Sequence, residues 1–454
     1  MVVCGGGLAG VAAACEAAGL GARVTLVERR PFLGGRAFSF TDAASGREID
    51  NGQHVFLGCC TAYIGLLRLL GTLGATTLQR RLDVAVRDRA GRTGRLRAAP
   101  VPAPFHLSAS FAAYPHLTVG ERAAAVRALL ALVALRPGAR DALDDRTFAD
   151  WLGDHGQSER AIRRFWDLIV LPTCNDRSDR VSAALAAYVF QEGFLRTGGG
   201  SAIGWPRVGL TRVVDPAARD FLAARGGTVL TGRGVAAVGE RHVELRGGER
   251  LEADGVVLAI PPRMAHEVAP DAVPHEPGLN ASPIVNVHLW YNRPVMDEPF
   301  EAVIDSPAQW VFNRSAMDHA GAPGEHHLAV SISGARGEVE VPRDELAAAI
   351  RDEVEGLYPR ARGAELLGSA VVKEPRATFA AAPGQASRRP GAATPVPGVA
   401  LAGAWTDTGW PATMEGAVRS GIRAARHVVG APEGRPYGGI TDRFRMLVGS
   451  RRRS

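Results

Sequence analysis

Three glycines near the start of the chain have the spacing of a phosphate-binding turn. Gly5, Gly7 and Gly10 form a G-x-G-x-x-G pattern in GGGLAG. In such a pattern the glycines permit a tight turn, close approach of the backbone to a pyrophosphate, and close helix packing. Glu28 follows 18 residues after Gly10. A carboxylate at that distance accepts from ribose hydroxyls and repels a 2′-phosphate, so the pattern predicts a dinucleotide other than NADP.

These residues need a strand, a helix and a second strand to position them. The apolar run VVC predicts the first strand, LAGVAAACEAAGL the helix, and RVTLVE the second strand. The pyrophosphate would lie at the helix N-terminus, where free N–H groups and the helix dipole favour an anion. Because the first strand has only about three residues before its glycines, we expect the natural chain to begin before Met1.

A second glycine pair follows Glu28 within the stretch ERRPFLGGR. Gly34 and Gly35 let the chain pass close to a diphosphate, and Arg36 can bring a guanidinium to it. The stretch from Glu28 and Arg29 to Arg36 resembles the FAD-dependent amine oxidase and phytoene desaturase superfamily. The resemblance implies FAD as cofactor and an α/β fold of amine oxidase-like architecture. That fold would combine a discontinuous Rossmann-like FAD-binding domain with an α+β substrate domain.

The carboxyl-terminal third repeats the pattern of a strand feeding a helix. VALAGAW predicts a strand, and TMEGAVRSGIRAARH predicts a helix with Thr413 as its N-cap. The resemblance implies that N–H groups near Thr413 and Met414 face the pyrimidine end of the flavin and that Val235 pairs with the adenine. Many relatives have aspartate where this chain has Ala404. Asp407 either replaces that carboxylate or serves only as a turn cap.

The predicted domain organisation alternates between cofactor and substrate segments. We expect FAD-binding parts at 1–65, 205–265 and 389–430, a helical substrate domain at 66–204, a substrate-domain sheet at 266–388 and a basic tail at 431–454.

Three further stretches narrow the resemblance. DNGQH at 50–54, WPATMEGAVRSG and VVKEPRATFAAAPG together resemble the squalene-associated FAD-dependent desaturases, the hydroxysqualene dehydroxylases of hopanoid synthesis. That family replaces the allylic hydroxyl of hydroxysqualene with hydride and forms squalene. The leaving hydroxyl needs a general acid, for which His54 and Asp50 are the candidates, with Asp176 behind them. For His54 the alternative is a packed ring bonded to the backbone, and for Asp176 a solvated turn.

Two other functions compete with this interpretation. A carotenoid desaturase uses the same cofactor and moves hydride in the opposite direction. A prenyl-protein escort has the same fold without flavin, but a binder has no need of the intact glycines, Glu28 and Arg36. Amine oxidation is disfavoured because Lys373, the single lysine, lies in a charged strand. We find no second dinucleotide motif and expect electrons from NADPH or a redox protein.

The amino-acid composition limits which partners, metals and cellular locations are expected. The 454 residues carry a net charge of +6, but the arginines are scattered, so no nucleic acid is expected. The five cysteines have no zinc-binding spacing, so we expect no metal and a reducing, cytoplasmic location. Cys59, Cys60 and Cys174 are expected to be small apolar fillers. Trp405 and Trp410 are expected either to border the flavin or to pack in the core.

The stretch HLTVGERAAAVRALLALVALRPG, at residues 116–138, predicts a capped helix rich in alanine, leucine and valine, and its segment LLALVAL has almost no polar face. It is either a buried helix of the substrate domain or a helix that dips into one membrane leaflet and admits an insoluble isoprenoid. Peripheral contact on the inner face of the membrane would follow from the second interpretation. No apolar run is long enough to predict a spanning helix.

Overall fold

The computed structural model describes residues 1–318 and 324–432 of the chain. The predicted basic tail lies almost wholly outside these residues. The strands, in chain order, are β1 (Val2–Cys4), β2 (Thr25–Glu28), β3 (Ser39–Thr41), β4 (Glu48–Asp50), β5 (Phe56–Leu57), β6 (Thr76–Leu78), β7 (Asp83–Asp88), β8 (Thr93–Arg97), β9 (Ile203–Pro206), β10 (Thr228–Thr231), β11 (Val235–Val238), β12 (His242–Leu245), β13 (Arg250–Glu252), β14 (Val256–Leu258), β15 (Ala281–Tyr291), β16 (Phe300–Ile304), β17 (Trp310–Asn313), β18 (His326–Ser333), β19 (Leu366–Phe379) and β20 (Val399–Leu401).

The helices, in chain order, are α1 (Leu8–Gly19), α2 (Thr61–Leu69), α3 (Ser108–Ala112), α4 (Val119–Ala134), α5 (Pro137–Asp141), α6 (Phe148–Asp154), α7 (Glu159–Ala161), α8 (Asp167–Cys174), α9 (Ala183–Phe190), α10 (Leu210–Ala223), α11 (Pro262–Val268), α12 (Arg314–Asp318), α13 (Arg343–Leu357) and α14 (Met414–Val429). Three 3₁₀ turns (Leu73–Ala75, Phe105–Leu107, Ala386–Arg388) and two π-helical turns (Ile162–Trp166, Gln191–Leu195) complete them.

A five-stranded parallel sheet forms the first layer of the molecule. Its order is β10-β2-β1-β14-β20, so it takes strands from three separated parts of the chain. Helices α1 and α14 pack against each other so closely that a Cβ on Gly421 would lie 2.0 Å from the Ala9 carbonyl oxygen. The predicted discontinuous Rossmann-like fold is therefore confirmed, because its sheet requires both ends of the sequence.

A seven-stranded sheet forms the second layer. Its order is β19-β15-β18-β17-β16-β7-β8, with β16 and β7 parallel and the other pairs antiparallel. The segment 66–204, expected to be a helical substrate domain, also contributes β7 and β8 to this sheet. Their alternating pattern in DVAVRD is that of a strand with one buried face.

Helices α3 to α9 cover one face of this sheet. Their core contains large buried rings from Phe148, Trp166 and Phe190. Helix α4 begins at a capping box in which Thr118 and Glu121 bond reciprocally. The interpretation of α4 as a buried helix is wrong for its outer face, where Val119 is 75% and Leu130 is 53% exposed. No helix among the described residues is long and apolar enough to cross a membrane.

Candidate active site

One continuous cavity of about 1310 Å³ extends between the two layers. Gly7 and Glu28 line one end of it, and Phe105 and Val126 line another. Most sites for a single small molecule measure roughly 300–1,000 Å³. This cavity has room for a dinucleotide and for a long apolar ligand beside it.

The glycine turn before α1 has no space for side chains. A Cβ on Gly10 would lie 1.8 Å from the Gly5 carbonyl oxygen, which is the close packing predicted for the third glycine. A Cβ on Gly35 would lie 2.7 Å from the Cα of Gly7, and the φ of Gly35 is +65°. Gly7 is the N-cap of α1 and offers no side-chain cap, so the first amides of the helix are free to bind an anion.

Glu28 lies at the end of β2 and is 8% exposed. Its Oε2 accepts a hydrogen bond of 2.6 Å from the Gly6 amide, and Oε1 accepts one of 2.8 Å from the Arg30 amide. An ionised carboxylate has about four acceptor positions, so both oxygens can still accept from a ribose. Glu28 lines the cavity together with Arg29 and Val235, and Thr231, just before Val235 in the chain, pairs with Glu28. This is the end that we assign to the adenosine.

The other predicted cofactor residues lie further along the same cavity. Gly34, Gly35 and Arg36 line it, and the Arg36 guanidinium donates 3.2 Å to the carbonyl of Ala377. Burial lowers the pKa of Arg36, against the opposing effect of Glu374. These residues fit a diphosphate, because a guanidinium group and a glycine turn line the same part of the cavity.

The start of α14 also lines the cavity. The Thr413 hydroxyl accepts a 3.2 Å bond from the Gly416 amide, as predicted for an N-cap, and Thr413 and Met414 both line the cavity. Glu415, which sequence reasoning missed, accepts bonds from the Ala62 and Tyr63 amides and so joins α14 to α2. Burial raises the pKa of Glu415.

Asp407 is the predicted cofactor residue that the structure keeps apart from the others. Its side chain is exposed and accepts a 3.0 Å bond from the Gly409 amide, so it acts as a turn cap. Of the two roles that the sequence left open for Asp407, the structure therefore agrees with the turn cap. Trp405 and Trp410, in contrast, are buried and both line the cavity.

The two candidate acids occupy different environments. His54 lines the cavity, and its Nδ1 lies 2.9 Å from the Gly52 carbonyl oxygen, which places the ring proton on Nδ1. Burial lowers the pKa of His54, so its Nε2 presents a lone pair to the cavity. Asp50 is 3% exposed and is bonded to Ser39, the Leu210 amide and Arg314. Asp50 does not line the cavity, so the structure places this candidate acid behind the cavity wall.

Three other residues singled out from the sequence, Asp176, Lys373 and Cys174, do not line the cavity, whereas Cys59 and Cys60 do. Asp176 is buried in an ion pair of 2.5 Å with Arg336, so the expectation of a solvated turn is wrong. Lys373 lies in the edge strand β19 and donates to the carbonyls of Val339 and Val341. Cys174 is buried, and burial raises its pKa to about 12, as expected for an inert thiol.

Two polar residues of the cavity were missed from the sequence. Asn286 lies in the central strand β15 and is fully buried, and Glu374 accepts a 3.1 Å bond from the Asn51 amide group. Both line the cavity near His54. A signal for Asn286 was present, because a polar side chain interrupts the apolar run IVNVHLWY. Glu374 gave no comparable signal, since KEPR is an ordinary charged sequence.

Comparison with known proteins agrees with this geometry. Residues 8–429 match the family of flavin containing amine oxidoreductases. The hydroxysqualene dehydroxylase of Rhodopseudomonas palustris is 33% identical over 443 residues, covering 94% of this chain and 98% of that protein. The zeta-carotene desaturase of Zea mays is 28% identical, covering 95% of this chain and 84% of that protein. The solved structure of cyclohexylamine oxidase from Brevibacterium oxydans has a TM-score of 0.69 at 22% identity, covering 94% and 98%.

Fold, glycine cradle and relatives together define an FAD-dependent oxidoreductase. The chain belongs to the flavin containing amine oxidoreductase family. FAD is its cofactor, and the flavin-free escort function predicted as an alternative is thereby set aside.

Proposed function

We propose that the protein removes the allylic hydroxyl of hydroxysqualene and forms squalene. The observation that carries the proposal is the single cavity that joins the FAD cradle to a long chamber lined by aliphatic and aromatic side chains. Phe165, Phe194 and Phe300 are among the rings of that chamber. A long isoprenoid needs such a surface, since burial of apolar groups supplies its binding energy. The similarity to hydroxysqualene dehydroxylases supports this choice among isoprenoids.

The reaction needs one contribution from the cofactor and several from the protein. Reduced FAD supplies the hydride that replaces the hydroxyl. The chain must hold the alcohol in one orientation, support protonation of the departing oxygen, and exclude water from the allylic carbon. The apolar chamber excludes water, and the polar group around His54 is the position where an oxygen can be received. The alcohol and two-electron-reduced flavin thus give hydrocarbon, water and oxidised flavin.

A carotenoid desaturase is the second candidate, since zeta-carotene desaturases are similar to this chain over most of its length. Its substrate has no oxygen, and the hydride moves from substrate to flavin. The buried polar side chains of the cavity favour the alcohol, because a hydrocarbon cannot bond to them.

We propose that the substrate enters from a membrane surface at α4. Val119, Val126, Leu130 and Val133 are exposed on one face of α4 and also line the cavity, as does Phe105 across from them. Beside them, the exposed guanidinium groups of Arg127 and Arg136 have no partner among the described residues. Apolar side chains flanked by free cations suit an anionic bilayer surface. An isoprenoid dissolved in that bilayer would reach the cavity without crossing water.

Electrons must come from outside the protein, because the reaction consumes reduced flavin. We propose NADPH or a redox protein as the donor. No second dinucleotide motif is found in the sequence.

The test is an anaerobic reoxidation experiment. Flavoprotein reduced without oxygen is mixed with hydroxysqualene in detergent micelles. Return of the oxidised flavin absorbance with squalene in the extract is the expected result. Reduced flavin that persists with hydroxysqualene, together with bleaching of oxidised enzyme by a carotenoid precursor, would transfer the assignment to the desaturase.

A further inference from the structure

The chamber contains a small polar corner at the point where residues 51–54 meet β15. Gly52 packs against this strand so closely that a Cβ on it would lie 3.1 Å from Asn286 Nδ2 and 3.6 Å from His54 Cε1. Gln53, His54 and Asn286 all line the cavity there. These three side chains are the polar corner discussed below.

Two buried atoms of the polar corner have no hydrogen-bond partner among the described residues. One is Oδ1 of Asn286, whose side chain is 0% exposed, and the other is Nε2 of Gln53. Buried amide atoms are normally paired with protein or ordered water, so an unpaired acceptor and an unpaired donor on two residues that line one cavity mark a position where a polar ligand group can bind. The Nε2 of Gln53 is a donor and the Oδ1 of Asn286 is an acceptor. A hydroxyl group can accept from the first and donate to the second.

Neighbouring bonds hold both amides in this orientation. Arg314 donates 2.9 Å to Asp50 and 2.9 Å to the Oε1 of Gln53, so the oxygen of the Gln53 amide is bonded and its Nε2 has no partner among the described residues. Asn286 donates its Nδ2 to the Asn51 carbonyl at 3.4 Å, which leaves Oδ1 open. Asp50 thus acts through Arg314 and is a positioning residue.

His54 completes the set of groups. Its Nδ1 is bonded to the Gly52 carbonyl at 2.9 Å, and its Nε2 has no partner in the described part of the chain. This nitrogen can accept the proton of a hydroxyl, or carry a proton from solvent to it. The corner therefore combines one donor and two acceptors within an otherwise apolar chamber.

We propose that Gln53, His54 and Asn286 form a hydroxyl subsite that binds the oxygen of an allylic alcohol and retains the water formed from it. Gln53 donates to the oxygen, and Asn286 or His54 accepts its proton. As the C–O bond breaks, the oxygen keeps the bonding pair and takes a proton that His54 Nε2 carries to it from solvent, while the carbon takes the hydride that reduced FAD would supply. The inference rests on the proposed function, and it adds the residues that distinguish an alcohol from a hydrocarbon of the same shape.

The subsite predicts a preference in binding that does not depend on turnover. Sites built to bond a hydroxyl reject the analogue that lacks it by a large factor, because their polar groups are left unpaired. Oxidised holoenzyme cannot reduce the alcohol, so its dissociation constants for hydroxysqualene and squalene can be measured in the same micelles by flavin absorbance. We expect the oxidised protein to bind the alcohol at least about tenfold more tightly.

Two substitutions test the assignment. Asn286→Leu and Gln53→Leu should bring the ratio of the two constants close to one, with flavin content and squalene affinity retained. Asn313→Leu is the matched control, because Asn313 is a buried asparagine in the same sheet whose amide atoms are both bonded, to Met296 and Ala316. Asn313→Leu should lower the melting temperature and keep the ratio. Asn286→Leu should lower the melting temperature less than Asn313→Leu does, since it removes one long bond of 3.4 Å and an unpaired atom, whereas Asn313→Leu removes two bonds.

The experiments distinguish failure of the proposed subsite from failure of the proposed function. A wild-type protein that forms squalene but binds the alcohol no more tightly than squalene overturns the subsite alone. An Asn286→Leu protein that keeps the ratio, or only loses stability as Asn313→Leu does, also overturns it. A wild-type protein that forms no squalene overturns the proposed function.

Discussion

The Arg314 guanidinium lies 2.9 Å from a carboxylate oxygen of Asp50, and both side chains are buried. The two residues are 264 positions apart in the sequence. This ion pair joins the segment beside the FAD cradle to the substrate-domain sheet and fixes Gln53 at the cavity. Asp50 therefore contributes to the position of the site and does not itself touch the ligand.

Asp50→Asn should destabilise the fold by about 3 kcal/mol, because it removes the carboxylate charge of a buried ion pair. Urea denaturation measures the change in unfolding free energy. The exposed pair Arg241–Asp254 supplies the control, and Asp254→Asn should cost less than about 1 kcal/mol. Equal effects of the two substitutions would contradict the described role of Asp50.

Gly35→Ala should abolish FAD binding. The added Cβ would lie 2.7 Å from the Cα of Gly7, and the φ of +65° is unfavourable for alanine. The flavin absorbance of the purified protein measures the loss. Gly356→Ala in α13, where nothing lies within 4 Å, should keep full flavin content. A flavin-loaded Gly35→Ala protein would contradict the assignment of the cradle.

The double substitution Val126→Gln and Leu130→Gln should weaken membrane binding by at least about tenfold, because it removes two aliphatic side chains from the apolar contact. Co-flotation with vesicles of phosphatidylcholine and phosphatidylglycerol measures the bound fraction. Leu367→Gln, at an exposed leucine in β19, should bind like the wild type. Unchanged binding of the double variant would remove α4 from the contact surface.

Stability should decrease as the pH falls from about 6.5 toward 4 through His288. Burial, assisted by Arg314, lowers the pKa of His288 to about 4, against the opposing charges of Asp50 and Asp42. His327, bonded to His288 at 3.0 Å, also has a lowered pKa. The unfolded chain then binds more protons than the folded one, so its population rises as the pH falls.

His288→Gln should reduce that slope, by at most one proton, or about 1.4 kcal/mol per pH unit. Unfolding free energies measured by denaturation across this pH range give the slope. His427→Gln, at an exposed histidine of α14, should leave the slope as it is. An unchanged slope in His288→Gln would show that His288 does not couple folding to protonation.

The sequence allowed the FAD half of the site to be predicted because that half is local. One βαβ unit and the turn after it contain the glycines of 5–10, Glu28 and Gly34–Arg36. Thr413 caps α14, which begins at the next residue. Fixed spacing along the chain becomes fixed geometry in such a unit. The segment 266–388, predicted to form a substrate-domain sheet, contains β15 to β19, and apolar residues are frequent in β15 to β18.

The substrate half could not be predicted, because its contacts join distant segments. Asn286 faces Gly52 across more than two hundred residues, and Asp50 meets Arg314 in the same way. Helix α4 appeared buried because its composition is apolar, whereas its exposure depends on where the cavity opens. Pattern reveals which residues are apolar, and only tertiary structure shows which of them face a ligand or a membrane.

The most direct test of the central claim is a single turnover in heavy water. The flavoprotein is reduced without oxygen in D₂O, where the hydrogen that the reduced flavin transfers exchanges with solvent, and then mixed with hydroxysqualene. The account predicts squalene carrying a single deuterium at the former carbinol carbon, with one equivalent of flavin reoxidised. No squalene, or squalene without deuterium, would contradict dehydroxylation by hydride transfer from the flavin.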